Sequence, residues 1–238
     1  MLFAQHLAKD YPSATAVHDV SLFLRRIETV ALIGPSGAGK TTVFQLLIGI
    51  LQPDAGRVIL DGVDVTDTPV YERARLGLSY LPQEPSLFRN LTVEQNLLFA
   101  LEAREPDATL RHAIVDDLLT AFGIRHVRAV RSGYVSGGER RRCEIARALV
   151  IQPKFVLLDE PFAGLDPIGV SEVRAAIGLL NRRGVGVLMT DHNIREILGF
   201  VDRCYVIASG RILTEGTSDA IIANPRVQRA YLGAGFSL

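Results

Sequence analysis

The segment Gly34-Pro35-Ser36-Gly37-Ala38-Gly39-Lys40-Thr41 has the residue types and spacing of a phosphate-binding loop, GxxxxGK[ST]. Glycines let backbone N–H groups turn toward phosphate oxygens, the lysine meets the β and γ charges, and the threonine hydroxyl can bind Mg²⁺. An apolar run precedes the loop and a helical pattern, Val43 to Ile50, follows it, as this chemistry requires. A glycine-rich turn that only caps a helix is the alternative. The residues predicted here to bind ATP are Gly34, Pro35, Ser36, Gly37, Ala38, Gly39, Lys40, Thr41 and Thr42.

Two adjacent carboxylates, Asp159 and Glu160, close another apolar run. An aspartate at this position can hold Mg²⁺, and the neighbouring glutamate can orient or deprotonate an attacking water. Magnesium keeps several of its waters, so Asp159, Thr41 and the phosphates are enough to bind it. The alternative is an acidic cap on the helix that follows. We predict Glu160 as a catalytic residue and Asp159 as a metal ligand.

Two further polar residues follow apolar runs, Gln83 after Tyr80-Leu81-Pro82 and His192 after Thr190-Asp191. A neutral amide at the first position can contact water or Mg²⁺ without changing the local charge. An imidazole N–H at the second position can contact a γ-phosphate. The alternatives are a solvated loop residue for Gln83 and a capping or packing residue for His192. We predict both as catalytic, and Gln83 also as a metal ligand.

The elements that must position these residues are short apolar runs without alternation, which are typical of strands covered on both faces of a parallel sheet. These runs are Val30–Ile33, Leu78–Leu81, Phe155–Leu158 and Val185–Met189. Ligands bind beyond the carboxyl ends of strands in open parallel sheets. Gly34, Gln83, Asp159 and His192 are therefore expected to converge on one crevice.

The remaining patterns complete a single α/β domain over residues 1–238. Residues 86–150 have helical periodicity and predict a helical subdomain. The segment before the first run, together with Arg57–Val63, which contains Asp-Gly, predicts a small antiparallel sheet beside the core.

A second anion-binding helix start is predicted at Ser136, Gly137, Gly138 and Glu139, before a helix over Arg140–Val150. A helix end favours an anion by only about 0.3 to 2 kcal/mol, so it must act on a phosphate that is already held elsewhere. Two phosphate-directed helix starts far apart in one chain suggest that the second completes the site of another copy. ATP would then lie between two subunits.

Composition argues against several classes of protein. Lys plus Arg equals Asp plus Glu at 26 each, so no net field draws the chain to nucleic acid or to an anionic membrane. Cys143 and Cys204 lack the spacing of a metal site or a disulfide framework and fit a reducing cytoplasm. No apolar stretch reaches the roughly eighteen residues of a spanning helix, so we expect other chains to cross any membrane.

Together these motifs resemble the ABC ATPase family, whose signature SGGE is Ser136 to Glu139, and the resemblance covers essentially the whole chain. The resemblance implies a P-loop cassette fold, ATP hydrolysis, a head-to-tail dimer with two composite sites, and transmembrane permease partners. It also implies a peripheral position on the cytoplasmic face of the inner membrane. It also implies an adenine-stacking role for Tyr11, although an N-terminal tyrosine is equally often a core residue. Asp166 is similar to the family's D-loop aspartate and is, physically, a good N-cap before Pro167.

A finer resemblance points to the ATPases of lipopolysaccharide-export systems. It rests on Tyr71-Glu72-Arg73-Ala74-Arg75, Tyr80–Glu84, Ser136–Leu149, Thr190-Asp191-His192-Asn193 and Tyr231-Leu232-Gly233. ATPases of branched-chain amino-acid or other solute importers are the alternative, and a soluble ABC ATPase outside transport is a third. A groove near Gln83–Leu91, with Phe88 as an apolar contact, is expected to dock a membrane partner in the export hypothesis.

The chain departs from the family pattern at three places. Val135 replaces the usual leucine of the signature, Ile27 stands where the family has glycine, and the tail ends in Phe236-Ser237-Leu238 without the usual arginine. Arg140-Arg141-Arg142 has two interpretations, a solvated basic helix face or a contact with a partner or another part of the domain.

Overall fold

Residues 1–12, 14–102 and 104–232 are described by a computed structural model. The strands in these residues join into one sheet in the order β5-β4-β1-β2-β10-β9-β3-β8-β7-β6. Their bounds are β1 Leu2–Tyr11, β2 Ala14–Leu24, β3 Thr29–Ile33, β4 Ala55–Leu60, β5 Val63–Asp64, β6 Leu78–Leu81, β7 Phe155–Asp159, β8 Gly186–Thr190, β9 Arg203–Ala208 and β10 Arg211–Gly216.

The helices of the same residues are α1 Lys40–Ile48, α2 Val70–Arg75, α3 Val93–Glu102, α4 Ala108–Ala121, α5 Gly137–Val150, α6 Pro167–Arg182, α7 Ile194–Leu198, α8 Ser218–Ala223 and α9 Pro225–Val227. Short 3₁₀ turns lie at Arg125–Val127 and Ser132–Tyr134, and a π turn at Gln228–Leu232. No helix in this part of the chain is long and apolar enough to cross a membrane.

The core strands β9, β3, β8, β7 and β6 pair in parallel. Alternate residues of β3 enter opposite hydrophobic clusters: Ala31 and Ile33 pack with the helices α3 to α6, whereas Val30 and Leu32 pack with α1 and the antiparallel strands. Coverage on both faces explains why the sequence runs are apolar without alternation. The mostly parallel core predicted from these runs is confirmed.

The antiparallel strands β5, β4, β1 and β2 continue the sheet rather than forming a separate layer. Strand β10 makes the join, because it pairs antiparallel with β9 and parallel with β2 through Arg211 and Asp19. The predicted antiparallel pairing is therefore confirmed. The antiparallel strands join the parallel core edge to edge in one sheet, which the sequence did not indicate.

Helices α3, α4 and α5 occupy the region predicted to be helical, and α5 starts at Gly137 rather than Arg140. The earlier start follows from capping. Ser136 is the N-cap, its hydroxyl accepts the amide of Glu139, and the Glu139 carboxylate accepts the Ser136 amide in return. The glycines of the signature therefore lie inside the first turn.

Arg73 fixes the helix that carries the phosphate loop. The side chain is 1% exposed and donates to the carbonyls of Leu46 and Leu47, in the last turn of α1, and to those of Thr66 and Thr68. The last carbonyls of a helix lack partners within the helix, so this arginine supplies them. Burial lowers the pKa of Arg73 to about 10, so it stays charged at neutral pH.

Candidate functional site

The phosphate loop connects β3 to α1 and depends on glycine at two close approaches. A Cβ at Gly34 would lie 2.1 Å from the carbonyl oxygen of Ile207. Gly39 has φ +103°, and a Cβ there would lie 2.5 Å from the carbonyl oxygen of Ala16. Neither position accepts another residue without moving the neighbouring strand. The loop is thus held against β9 and β2.

Lys40 bends back over this loop, where its Nζ donates to the carbonyl oxygens of Gly34 at 2.8 Å and Pro35 at 3.0 Å. Burial lowers the pKa of Lys40, and the carboxylates of Glu160 and Asp159 act in the opposite direction. Both carboxylates therefore lie close enough to interact electrostatically with the loop lysine. Thr41 is exposed on the first turn of α1.

Asp159 is the last residue of β7 and is 5% exposed. Thr190 donates its hydroxyl to one carboxylate oxygen, and the Tyr80 hydroxyl lies 3.3 Å from the other. Burial, followed by the charge of Asp159, raises the pKa of Tyr80 to about 12, so this tyrosine remains a donor. Tyr80 and Thr190 were not predicted as site residues, because Tyr80 belongs to a run that indicated only a strand and Thr190 directly follows such a run.

Glu160, Gln83 and His192 come together at the carboxyl ends of β7, β6 and β8. Gln83 Nε2 donates to Glu160 Oε2 at 2.9 Å, and His192 Nδ1 lies 3.3 Å from the same oxygen. Glu160 has φ 45°, and its amide donates to the Thr190 carbonyl at 3.0 Å. Of the four strand-end residues expected to converge, Gln83 and His192 meet at Glu160, which directly follows the third, Asp159.

His192 is oriented by the turn around Asp191, which is 1% exposed. The Asp191 carboxylate accepts the amides of Phe162 at 3.2 Å and Asn193 at 2.9 Å, so it ties the residue before His192 to the loop after Glu160. The imidazole itself stays exposed. Its neighbours leave it accessible to a ligand in the crevice.

Arg141 contacts three parts of this site from α5. Its guanidinium donates to the carbonyls of Asp159 at 2.9 Å, Glu160 at 3.3 Å and Pro82 at 2.9 Å, and it pairs with Glu144 at 3.0 Å. Arg142 is also buried and donates to the carbonyls of Phe122 and Gly123. Two of the three consecutive arginines thus make contacts within the domain, and the solvated-face interpretation is wrong for them.

The second phosphate-directed helix start, Ser136 to Glu139, lies where α5 meets the beginning of α6. A Cβ at Gly138 would lie 3.2 Å from Glu172 and 3.4 Å from Gly169. Partial burial would raise the pKa of Glu139, but hydrogen bonds from Ser136 and from His126, whose Nε2 is 2.7 Å away, hold it below the usual range. Asp166 caps α6 by accepting the Gly169 amide at 2.7 Å, as its N-cap position predicted.

Two tyrosines named in the sequence patterns, Tyr11 and Tyr231, lie on other elements. Tyr11 ends β1 and is 40% exposed, so it is not a core residue. Tyr231 reaches the phosphate loop from the C-terminal turn. Burial raises its pKa, while a hydrogen bond from the Gly34 amide acts in the opposite direction. Gly233 and the tail Phe236–Leu238 lie outside the described residues.

A phosphate loop, two strand-end carboxylates and a glycine-rich helix start on one α/β sheet define a nucleotide-hydrolysing cassette. Residues 17–163 match the family model described as ABC transporter, and the chain belongs to this family. It is an ATP-binding, ATP-hydrolysing ABC subunit. Residues 211–237 also match a model described as branched-chain amino acid ATP-binding cassette transporter.

Relatives cover the whole chain. A probable ABC transporter ATP-binding protein of Azorhizobium caulinodans is 55% identical over 237 residues, covering 100% of this chain and 84% of the relative. The lipopolysaccharide export system ATP-binding protein LptB is 48% identical in Haemophilus influenzae and 47% identical in Escherichia coli K12, covering 100% of this chain and 99% of each relative.

Solved structures agree with the fold. A nucleotide-free ATP-binding cassette from an ABC transporter has a TM-score of 0.88 and 25% identity, covering 98% of this chain and 99% of that structure. The ADP conformation of another ABC cassette has a TM-score of 0.87 and 26% identity over the same shares. The P-loop cassette fold predicted from the sequence is confirmed.

Proposed function

We propose that this chain is the ATP-hydrolysing motor of an exporter that moves lipopolysaccharide or a similar lipid out of the inner membrane. The convergence of Gln83, Glu160 and His192 carries the hydrolytic part of the proposal. The export part is supported by the LptB relatives, which are nearly half identical over the whole length of both chains. The chain would act on the cytoplasmic face of that membrane.

In this proposal Glu160 orients or deprotonates the attacking water, and Gln83 and His192 position that carboxylate and contact the γ-phosphate end of the substrate. Lys40 and the amides of residues 34–42 hold the phosphates. The lysine is already held over its loop by two carbonyls, so it is positioned before a substrate binds. Tyr11, exposed at the end of β1, is available to stack on adenine.

The residues around Asp159 fit a magnesium ion. A single buried carboxylate, a hydroxyl on Thr41 and the amide of Gln83 make a small oxygen donor set, which suits an ion that keeps several waters and binds phosphates. Magnesium would neutralise charge on the transferred phosphoryl group. Thr190 and Tyr80 hold the Asp159 carboxylate in place by donating to it.

A second copy of the chain completes each site in this proposal. Ser136, Gly137, Gly138 and Glu139 present a helix start toward a phosphate, with Asp166 at the neighbouring helix start. Among the described residues, no hydrogen bond or ion pair links residues 136–139 to the phosphate loop of the same chain. A head-to-tail dimer supplies the missing contact by facing one chain's helix start with the other chain's loop.

A membrane partner is proposed to dock in a groove of about 270 Å³ beside β6 and α5. Phe88 is 49% exposed there and packs edge to face on Phe99, with ring centroids 5.1 Å apart. The backbone of Phe88 is fixed, because the buried Asn96 accepts its amide at 2.8 Å and donates to its carbonyl at 3.2 Å. A rigid aromatic pair in a groove suits an apolar helix face from a permease.

The cargo assignment is tested by purifying the chain from its native membrane in a mild detergent and identifying what remains bound by mass spectrometry. Recovery of two different membrane proteins together with lipopolysaccharide supports the export proposal. A solute permease instead would replace it with an importer, the second candidate, which residues 211–237 favour through their family match. Recovery of a soluble partner, or of no partner, would favour an ABC ATPase that has no role in transport.

The docking groove is tested separately with Phe88→Ala. Loss of a central aromatic contact should weaken partner recovery by roughly thirtyfold or more while ATP affinity stays near that of the unaltered chain. The matched control is Val63→Ala, an exposed apolar residue on β5, at the opposite edge of the sheet from β6. If Phe88→Ala instead abolishes nucleotide binding, the groove is not a separate docking site.

A further inference from the structure

An open cavity of about 830 Å³ lies at the seam between the helical subdomain and the base of the parallel core. Helices α3 and α4 and the end of α5 form one wall. The turns that lead into β7 and β8 form the other, with Arg26 at the edge. Small-molecule sites typically measure about 300 to 1,000 Å³. The cavity therefore has the size of a ligand site and lies outside the crevice described above.

The floor of this cavity is apolar and its mouth is cationic. The buried floor residues are Leu101, Leu118, Leu149, Val150 and Val185. At the mouth the side chains of Arg26, Lys154 and Arg183 remain 50%, 39% and 36% exposed.

The acidic groups facing these cations are fewer than the cations. Asp61 accepts Lys154 at 2.8 Å, lies 3.6 Å from Arg26 and also pairs with the N-terminal amino group, so one carboxylate serves three cations. Arg183 pairs with Asp117 at 2.7 Å, and Asp117 is 63% exposed. Such an exposed pair contributes little and is easily replaced by a ligand. The mouth therefore carries an excess positive charge above an apolar floor.

We propose that this cavity binds a monomeric anionic amphiphile, a small molecule with an apolar body and a single carboxylate, sulfonate or phosphate head. The body covers the floor between α4 and the turn at Val185, and the head contacts Lys154 and Arg183 at the mouth. Charge complementarity selects an anion over a cation of the same length. The apolar floor distinguishes this ligand from a free inorganic anion.

The position of the cavity separates it from the nucleotide crevice. Its core wall lies at the amino ends of β7 and β8, whereas Asp159 and His192 lie at or beyond the carboxyl ends of those strands. A five-residue strand spans about 15 Å, so occupant and nucleotide do not overlap. The opposite wall belongs to the helical subdomain. An occupant thus contacts both units that carry catalytic motifs while leaving the nucleotide crevice open.

The test is calorimetric titration of the full chain with dodecanoate, below its micelle concentration, with and without ATP. Dodecyltrimethylammonium provides a cation with the same alkyl chain, and vesicles of anionic phospholipid test a membrane source. Arg183→Gln combined with Lys154→Gln removes the proposed head contacts. Arg182→Gln is the matched control, since Arg182 is exposed next to Arg183 and does not line the cavity.

Dodecanoate should bind with and without ATP, and about tenfold more tightly than the cation. The double variant should lose about tenfold in dodecanoate affinity, and Arg182→Gln should not. Ala113→Trp, at an exposed lining position on α4, should block binding by filling the mouth. Equal binding of the cation, unchanged binding to Ala113→Trp, competition with ATP, or binding only to vesicles would each overturn the proposal.

Discussion

Glu160 is held in a backbone conformation that side chains rarely adopt, with φ 45°. Its amide donates to the Thr190 carbonyl, and its carbonyl accepts Arg141. Left-handed backbone at a non-glycine residue costs about 1 to 3 kcal/mol and persists only where surrounding contacts enforce it. This backbone conformation places the Glu160 carboxylate between Gln83 and His192, on the side where the nucleotide crevice opens.

Glu160→Gln should therefore retain ATP binding and lose hydrolysis by about 10² to 10⁴-fold, because an amide keeps the shape but does not accept a proton. Steady-state ATPase assays and ATP titration measure the two effects. Glu84→Gln is the control, an exposed carboxylate of the neighbouring loop. Turnover within a few-fold of the unaltered chain would exclude Glu160 as the base.

Ile27 also occupies the left-handed region, with φ 64°, and its side chain is 64% exposed. Family resemblance places glycine there, and the turn keeps the conformation that glycine favours. Neighbouring contacts hold it, since the Glu28 carboxylate accepts the Arg25 amide at 2.9 Å and Arg203 Nε at 3.0 Å. A β-branched residue in this conformation is strained.

Ile27→Gly should raise the free energy of unfolding by about 0.5 to 1 kcal/mol, because relief of strain exceeds the added flexibility of the unfolded chain. Urea denaturation followed by circular dichroism measures it. The control, Ile50→Gly, changes a similarly exposed isoleucine whose φ is not positive, and it should lower stability or leave it unchanged. Equal losses for both variants would show that Ile27 stores no strain.

At the scale of elements, α5 connects the signature helix start to the residues proposed to carry hydrolysis in the same chain. Arg141 holds the carbonyls of Asp159 and Glu160, and its partner Glu144 accepts the Ser86 amide at 2.7 Å. Arg147, one turn further, donates to the Ser86 carbonyl at 2.8 Å. Glu144 and Arg147 also line the proposed docking groove. A rigid ionic link thus runs from that groove to the hydrolytic site.

Arg141→Lys should lower kcat for ATP while changing its KM little, and should reduce stability by about 2 to 3 kcal/mol. A lysine keeps the charge but lacks the planar fork that serves several carbonyls at once, and a buried acceptor left unpaired costs about 1 to 3 kcal/mol. ATPase kinetics and urea denaturation provide the readouts. Arg140→Lys is the matched control for stability, because no hydrogen bond or ion pair described for Arg140 requires a planar guanidinium. Identical behaviour of the two variants would remove the link through Arg141.

The elements were largely predictable because each has a local signal. Runs such as Phe155–Leu158 have no polar face, so only a sheet covered on both sides accommodates them. Strand ends then predicted that Gln83 and His192 approach the end of β7, where they contact Glu160. Burial of Arg141 could not be read from the sequence, because its partners are carbonyls of distant segments. The same holds for Thr190, whose hydroxyl finds Asp159 only after β7 and β8 pair.

At the scale of the whole molecule, the phosphate loop and the signature helix start pack against different elements of the fold. The loop packs against β2 and β9, whereas Ser136 to Glu139 packs against the start of α6, where a Cβ at Gly137 would lie 3.1 Å from Leu165. Each of the two segments also makes hydrogen bonds within itself. Ser136 and Glu139 form a capping box, and Lys40 donates to the carbonyl of Gly34 in its own loop. In the proposed head-to-tail dimer, one chain would present two half-sites, and each complete site would join half-sites from different copies.

This arrangement predicts complementation between two inactive variants. Lys40→Ala removes the phosphate-loop charge, and Ser136→Arg blocks the signature helix start, so each homodimer should lack ATPase activity. In a head-to-tail heterodimer of the two, both changes fall in one site and the other site is unaltered. Random pairing of independent sites should then restore about a quarter of the normal activity.

The experiment mixes the two purified variants in equal amounts and measures ATPase activity after subunit exchange. The control is a single chain carrying both changes, mixed with the unaltered chain. Its heterodimers contain one defect in each site, so only unaltered homodimers should remain active, again at about a quarter of normal activity. If Lys40 and Ser136 instead acted on one nucleotide within a single chain, mixing the two single variants would restore nothing. The control mixture would then show about half of the normal activity, because every unaltered chain would still hydrolyse ATP.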